Sequence, residues 1–298
     1  MSWMRGKFKD IVTDLAENDP RVIVLLGDIS VFQFRHFQER FPDRFHNMGI
    51  CENALISVAA GLASQGYHPF VHTIAPFITD RSFEQIKLDM VYNDFGGNIV
   101  SCGASFDYAW DGATHHTYFD LAMLRMLPGA EVCQPGSEAE LAALMPSQYA
   151  NGKTTYFRLS DKPHDIDLGD DLAFGRGVVL KDVGAPMTVM TAGPMLAEVL
   201  PACQDLNVNL VYFHTLKPID QAPVTRFADT EIVVVQDAFG LSEAIAGVRP
   251  GLRMAVLGVD RMDRFETCYG THHDMRAALQ LDTAALRARI PTAFQSAA

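Results

Sequence analysis

The sequence contains no apolar run near the ~20 residues that a membrane-spanning helix needs. Its opening, MSWMRGKFKDIV, mixes charge with apolar residues where a signal peptide would carry an uninterrupted apolar core. It has no CxxC pair. Cys51, Cys102, Cys133, Cys203 and Cys268 are scattered and odd in number, which excludes a zinc ribbon or disulfide frame and reads as reduced thiols in a cytoplasmic protein. Positive charge is also scarce. With 24 Lys and Arg against 36 Asp and Glu, the formal charge is −12 at pH 7, which argues against a polyanion partner such as nucleic acid but leaves room for a local basic pocket. There is no internal repeat and no low-complexity tract, so a repeat architecture is excluded.

What is present is ordinary for a globular protein: 48% apolar and 20% charged residues. A length of 298 residues exceeds the usual single core, so two domains are expected. Residues 5–17 suit an amphipathic helix with Phe8, Ile11, Val12 and Leu15 on one face. RVIVLLG (21–27) has the continuous apolar character of a parallel strand covered on both sides. Further strands are expected near 69–74, 98–103, 131–134 and 155–159, with helices over 52–66, 79–92, 118–127 and 137–145. DKPHDIDLGDDLAFG (161–175) is acidic, carries Pro and Gly, lacks a period and reads as a linker. A second series follows: strands at 188–191, 210–213, 231–236 and 254–259, and helices at 194–206, 241–248 and 282–290. The alternation predicts an α/β protein with two consecutive parallel-sheet, three-layer domains, at 1–160 and 176–298.

The chain is organised around residues 45–66, FHNMGICENALISVAAGLASQG. Glu52 opens a run of small apolar residues at helical spacing. Its bland reading is a first-turn acid favoured by the helix dipole. Against that, an almost uncharged helix reads as buried on most sides, and a buried acid needs a partner.

GICENALISVAAGLASQGYHPFV resembles the glutamate helix of the pyrimidine-binding domain in the transketolase family of thiamine diphosphate enzymes. The resemblance implies that Glu52 is catalytic and binds the coenzyme: its protonated carboxyl donates to a ring nitrogen of the aminopyrimidine and sets the tautomer that activates the thiazolium. An apolar helix suits a carboxyl that must hold its proton. DGATHH (111–116) resembles the family's DGPTH motif, with Ala113 where the family usually has Pro. Asp111 and His115 would then bind substrate hydroxyls, and His116 matches a second histidine of some relatives. The plain alternative is a helix N-cap at Asp111 or Thr114. Phe77 matches a phenylalanine that packs on the aminopyrimidine, with Ile74 the competing position. Asp28 matches an aspartate facing the cofactor, or simply ends its strand.

Arg5 matches a substrate-phosphate arginine, its alternative being a surface charge near a terminus. Arg158 is retained within YFRLSDKP, but Asp161-Lys162 stand where a second arginine would fall, and Phe32 falls near a phosphate-binding serine. An altered phosphate pocket is implied. LKPID and LDTAALRARI extend the resemblance through the C-terminal domain.

The family binds its diphosphate through Mg2+ held by a GDG motif, and no GDG occurs in the sequence. The resemblance therefore implies the small subunit of a split enzyme that moves a two-carbon ketol unit from a ketose to an aldehyde. A partner chain would anchor thiamine diphosphate and Mg2+, the two chains assembling as an α2β2 heterotetramer. Three alternatives stand beside it. A 2-oxo-acid dehydrogenase beta chain would carry an HSQ-type loop, a deoxyxylulose phosphate synthase shares loops like DGATHH, and a non-catalytic subunit should have lost Glu52.

Overall fold

The computed structural model describes residues 3–169, 172–260, 267 and 269–295. Asp170 and Asp171 of the expected linker, and Cys268, lie outside the described residues. Among the described residues the strands are β1 (Val22–Leu26), β2 (Phe45–Asn47), β3 (His68–Ile74), β4 (Gly97–Cys102), β5 (Glu131–Cys133) and β6 (Thr154–Arg158) in the first half. They continue with β7 (Gly177–Lys181), β8 (Met187–Ala192), β9 (Asn209–Phe213), β10 (Thr215–Lys217), β11 (Glu231–Gln236) and β12 (Met254–Gly258).

The first sheet has the order β10-β5-β6-β4-β3-β1-β2 and the second β12-β11-β8-β9-β7. Both are parallel except at one edge, where β10 pairs antiparallel with β5 and β7 with β9. The α/β reading with two mainly parallel sheets therefore holds. β1 is buried at every position, as its uninterrupted apolar run requires. On one face of the first sheet the Trp3–Asn18 helix packs Phe8 into a phenylalanine cluster with Phe34, Phe37, Phe45 and Phe70. On the other, Leu55, Ile56 and Ala59 of the Glu52–Ser64 helix join a core that continues into the second half through Phe213, Val224 and Ile232.

The expected boundary after residue 175 does not divide the sheets cleanly, because β10 returns from the second half to the first sheet. At three residues, β10 is too short to show a period. The Glu52–Ser64 helix also differs from expectation. It is buried along one stripe, while Asn53, Ala54, Ser57, Val58 and Gly61 are exposed.

The helix expected over 79–92 starts earlier, at Ala75, with Pro76 in its first turn where a missing N–H costs nothing. It stops at Asp80 and resumes as Phe83–Gln85 and a π-helical turn, Ile86–Tyr92. The interruption leaves Arg81 at a corner between two helical pieces.

Candidate active site

Glu52 is the first residue of its helix and only 3% exposed. Its Oε2 accepts a hydrogen bond from Arg81 Nη1 at 3.2 Å, while Oε1 is buried without a hydrogen-bond partner among the described residues. The Arg81 guanidinium carbon lies 4.1 Å from the centroid of the Phe77 ring. Phe77 in turn meets the His115 ring edge-on, at 5.0 Å and 70°. Four residues from three separate segments thus form one continuous surface, and Glu52, Phe77 and His115 are among those singled out in the sequence. Arg81 was not, although it stands in the helix expected over 79–92.

His115 is half-buried, its Nδ1 2.9 Å from Thr114 Oγ1, and Asp111 is exposed on the same turn. That turn depends on Gly112, whose φ of 73° is a left-handed conformation and whose added Cβ would fall 2.4 Å from Tyr269 Cε1. The next histidine does something else. His116 is buried against Phe106, with ring centroids 5.2 Å apart.

Beyond His115, with ring centroids 6.3 Å apart, is Tyr108, whose hydroxyl reaches Cys102 Sγ at 3.6 Å. In the same neighbourhood Arg5 Nη2 pairs with Asp161 Oδ2 at 3.3 Å. Arg5 Nε and Asp161 Oδ1 are both buried without partners among the described residues. Asp161 donates its backbone N–H to Asp107 Oδ2 at 2.7 Å, and the Ser160 hydroxyl donates to Asp107 Oδ1 at 3.0 Å. Burial pushes the Asp107 carboxyl up to about 7, against the opposing pull of the Asp161 N–H. His272, from the second half, brings Nε2 within 3.9 Å of Asp107; burial, and after it Arg276, pushes this imidazole down to about 4. Asp107 and His272 carried no sequence signal, since their meeting depends on how the two halves pack.

Of three other expected residues, one is buried and two are exposed. Arg158 is fully buried in β6, where Nε donates to Asp120 Oδ2 at 2.8 Å, Nη1 to Ser105 Oγ at 3.0 Å and Nη2 to the Thr117 carbonyl at 2.6 Å. Substrate contact is ruled out by that position; Arg158 ties β6 to the loop carrying DGATHH. Asp28 is exposed at the end of β1 with φ 58°, and exchanges two hydrogen bonds with Asn47. Phe32 is 85% exposed beside the Arg35 guanidinium and fills no pocket at Arg5. Ile74 ends β3, just before the turn that presents Phe77. Cys51 is exposed and Cys102, Cys133 and Cys203 are buried, all as free thiols.

The description "Transketolase, pyrimidine binding domain" matches residues 2–163, the segment that carries Glu52, Phe77 and DGATHH. The chain belongs to the transketolase family. A 6-deoxy-6-sulfo-D-fructose transketolase subunit from Clostridium sp. (strain MSTE9) is 30% identical over 234 residues, covering 76% of this chain and 72% of that protein. A 1-deoxy-D-xylulose-5-phosphate synthase from Alkalilimnicola ehrlichii is 29% identical across 92% of this chain, which spans 45% of that enzyme. Among solved structures, a split-gene transketolase described as an inactive beta4 tetramer superposes with TM-score 0.85 at 28% identity over 98% of each chain.

This transketolase-family chain suits the aminopyrimidine half of thiamine diphosphate on two observations: the buried Glu52 Oε1, unpartnered among the described residues, and the flat apolar ring of Phe77 close by. For the diphosphate half, no GDG occurs in the sequence. Among the described residues no three His, Cys, Asp or Glu side chains gather as metal ligands, and no helix is long and apolar enough to cross a membrane.

Proposed function

We propose that this chain is the small subunit of a split, thiamine diphosphate-dependent transketolase. It would transfer a two-carbon ketol unit from a ketose to an aldehyde in the cytoplasm. The observation that carries the reading is Glu52: a carboxyl buried at a helix start, with one oxygen unpartnered among the described residues, close to Phe77. Thiamine diphosphate, when bound, supplies the carbanion chemistry of such transfers. Glu52 would donate a proton to the ring, Phe77 would support its face, and His115 and Asp111 would bind substrate hydroxyls. Mg2+ and the diphosphate would sit on a partner subunit, and the solvent-facing side of the Glu52–Ser64 helix is a candidate surface for it. Two copies of each chain would make an α2β2 assembly. Coenzyme binding with and without that subunit tests the division. Tight Mg2+-dependent binding by this chain alone would refute it.

The substrate's far end would meet Arg5 already paired to Asp161, a poor cradle for a phosphate dianion, which collects several charge-assisted donors. A ketose with little dependence on terminal phosphate is the proposed donor. Specificity constants for phosphorylated and unphosphorylated ketoses on the assembled enzyme decide the point. A preference above about a hundredfold, ~2.7 kcal/mol, for the phosphorylated one would overturn it. A second reading, a deoxyxylulose-phosphate-synthase-like carboligase, is favoured by the match to such a synthase over 92% of this chain, which spans 45% of that enzyme. Product analysis with pyruvate and glyceraldehyde phosphate separates the two.

A further inference from the structure

Arg81 touches both surfaces that the aminopyrimidine would use. Its Nη1 donates to Glu52 at 3.2 Å, and its guanidinium plate lies over the Phe77 ring at 4.1 Å. A guanidinium resembles an aminopyrimidine in the two relevant respects. It is flat enough to cover an aromatic face, and its edge carries N–H donors that match a carboxylate. We propose that Arg81 is a placeholder for the coenzyme's ring, holding Glu52 and covering Phe77 until the aminopyrimidine displaces it. The proposal rests on reading Glu52 and Phe77 as the pyrimidine site.

Sterically, two flat groups cannot share one face of Phe77, because a single plate already uses the ~3.5–4 Å contact height. The two partners also ask opposite things of the carboxyl: arginine only donates, so Glu52 accepts from it at Oε2, whereas a ring nitrogen accepts and needs Glu52 to donate.

Arg81 is also built to leave. Its side chain is 48% exposed, against 3% for Glu52, so it can swing into water. Its backbone stays fixed, since Asn53 Nδ2 donates to the Arg81 carbonyl at 2.7 Å. The corner between Ala75–Asp80 and Phe83–Gln85 keeps the residue out of a continuous helix. The hold is incomplete too: Glu52 Oε1 has no partner among the described residues, so the pair leaves one buried carboxyl oxygen open to a ligand. In the chain by itself Arg81 spares Glu52 from lying wholly unpaired. During coenzyme binding the same contact acts as a competitor.

The test measures the dissociation constant of thiamine diphosphate with Mg2+ on the complex assembled with the diphosphate-binding subunit, by fluorescence quenching or calorimetry. Arg81→Ala should tighten binding about 5-fold, since the apparent constant is the intrinsic one divided by the fraction of open sites. Arg81→Lys, which can pair with Glu52 but not cover Phe77 as a plate, should fall between the two. In a Glu52→Gln background, where the amide holds a guanidinium poorly, the gain from Arg81→Ala should shrink below about 2-fold. Weaker binding in Arg81→Ala would make Arg81 a direct coenzyme ligand and overturn the proposal. An unchanged constant in a folded Arg81→Lys complex would overturn it as well. If the wild-type complex bound no thiamine diphosphate, the pyrimidine-site reading itself would fall, an outcome distinct from either of these.

Discussion

The two ends of the site differ in how their charges are arranged. At the Glu52 end a buried carboxyl is paired on one oxygen only, by an arginine half in solvent. At the Arg5 end both partners are mostly buried, 18% and 17% exposed, and the cation is already neutralised by Asp161. The first arrangement leaves a carboxyl able to change partners; the second leaves little uncompensated positive charge. In the proposed function the first would serve the coenzyme and the second the substrate's far end, and one substitution class should separate them.

The largest effect should come from the scaffold beneath both ends. Arg158→Leu leaves Asp120 as a buried, unpaired charge, so it should cost about 3–5 kcal/mol of stability, read by chemical denaturation. An unaltered stability would return Arg158 to the substrate side. At the coenzyme end, Glu52→Gln in the assembled enzyme should lower turnover at least ~100-fold, the scale of a positioned acid-base group. Retained turnover would favour a non-catalytic subunit.

Behind the Arg5 end lies His72, fully buried, its ring within 5.1 Å of Phe8 and its pKa lowered by burial from 6.5 to about 4. Between those two values the unfolded chain takes up a proton that the folded one refuses, so this contribution is lost as pH falls. Acidification from pH 7 to 5 should cost about 2 kcal/mol more in the wild type than in His72→Gln, compared by denaturation at both pH values. The smallest effect tests recognition itself. Asp161→Asn frees Arg5 and should raise the relative specificity constant for a phosphorylated ketose about 10-fold, at the low end of a charge-assisted bond. No change would mean that Asp161 is not what limits phosphate recognition.

Long elements with a strong period were legible. The Trp3–Asn18 helix, β1, β3, β4 and β11 fall within two residues of expectation because burial on a defined face dictates their composition. The strands β2, β7 and β10 and the helix His272–Ala278 were not, being three to seven residues long and fixed by neighbours distant in sequence. At the site, Glu52, Phe77 and His115 are linked in one surface through Arg81, which the motifs did not single out. The sequence was silent on orientation: adjacent histidines divide into one half-buried and one buried, and a retained arginine, Arg158, points into the interior.

β10 completes the first sheet with residues from the second half, and Lys217 within it donates from Nζ to the carbonyl of Arg125 at 2.9 Å. Cutting the chain at 161–175 would therefore strip the first half of an edge strand and expose β5 as an open ladder, a template for aggregation. The two halves of this chain depend on one another for a complete sheet. They should melt in a single transition, and neither should be recoverable as a soluble fragment.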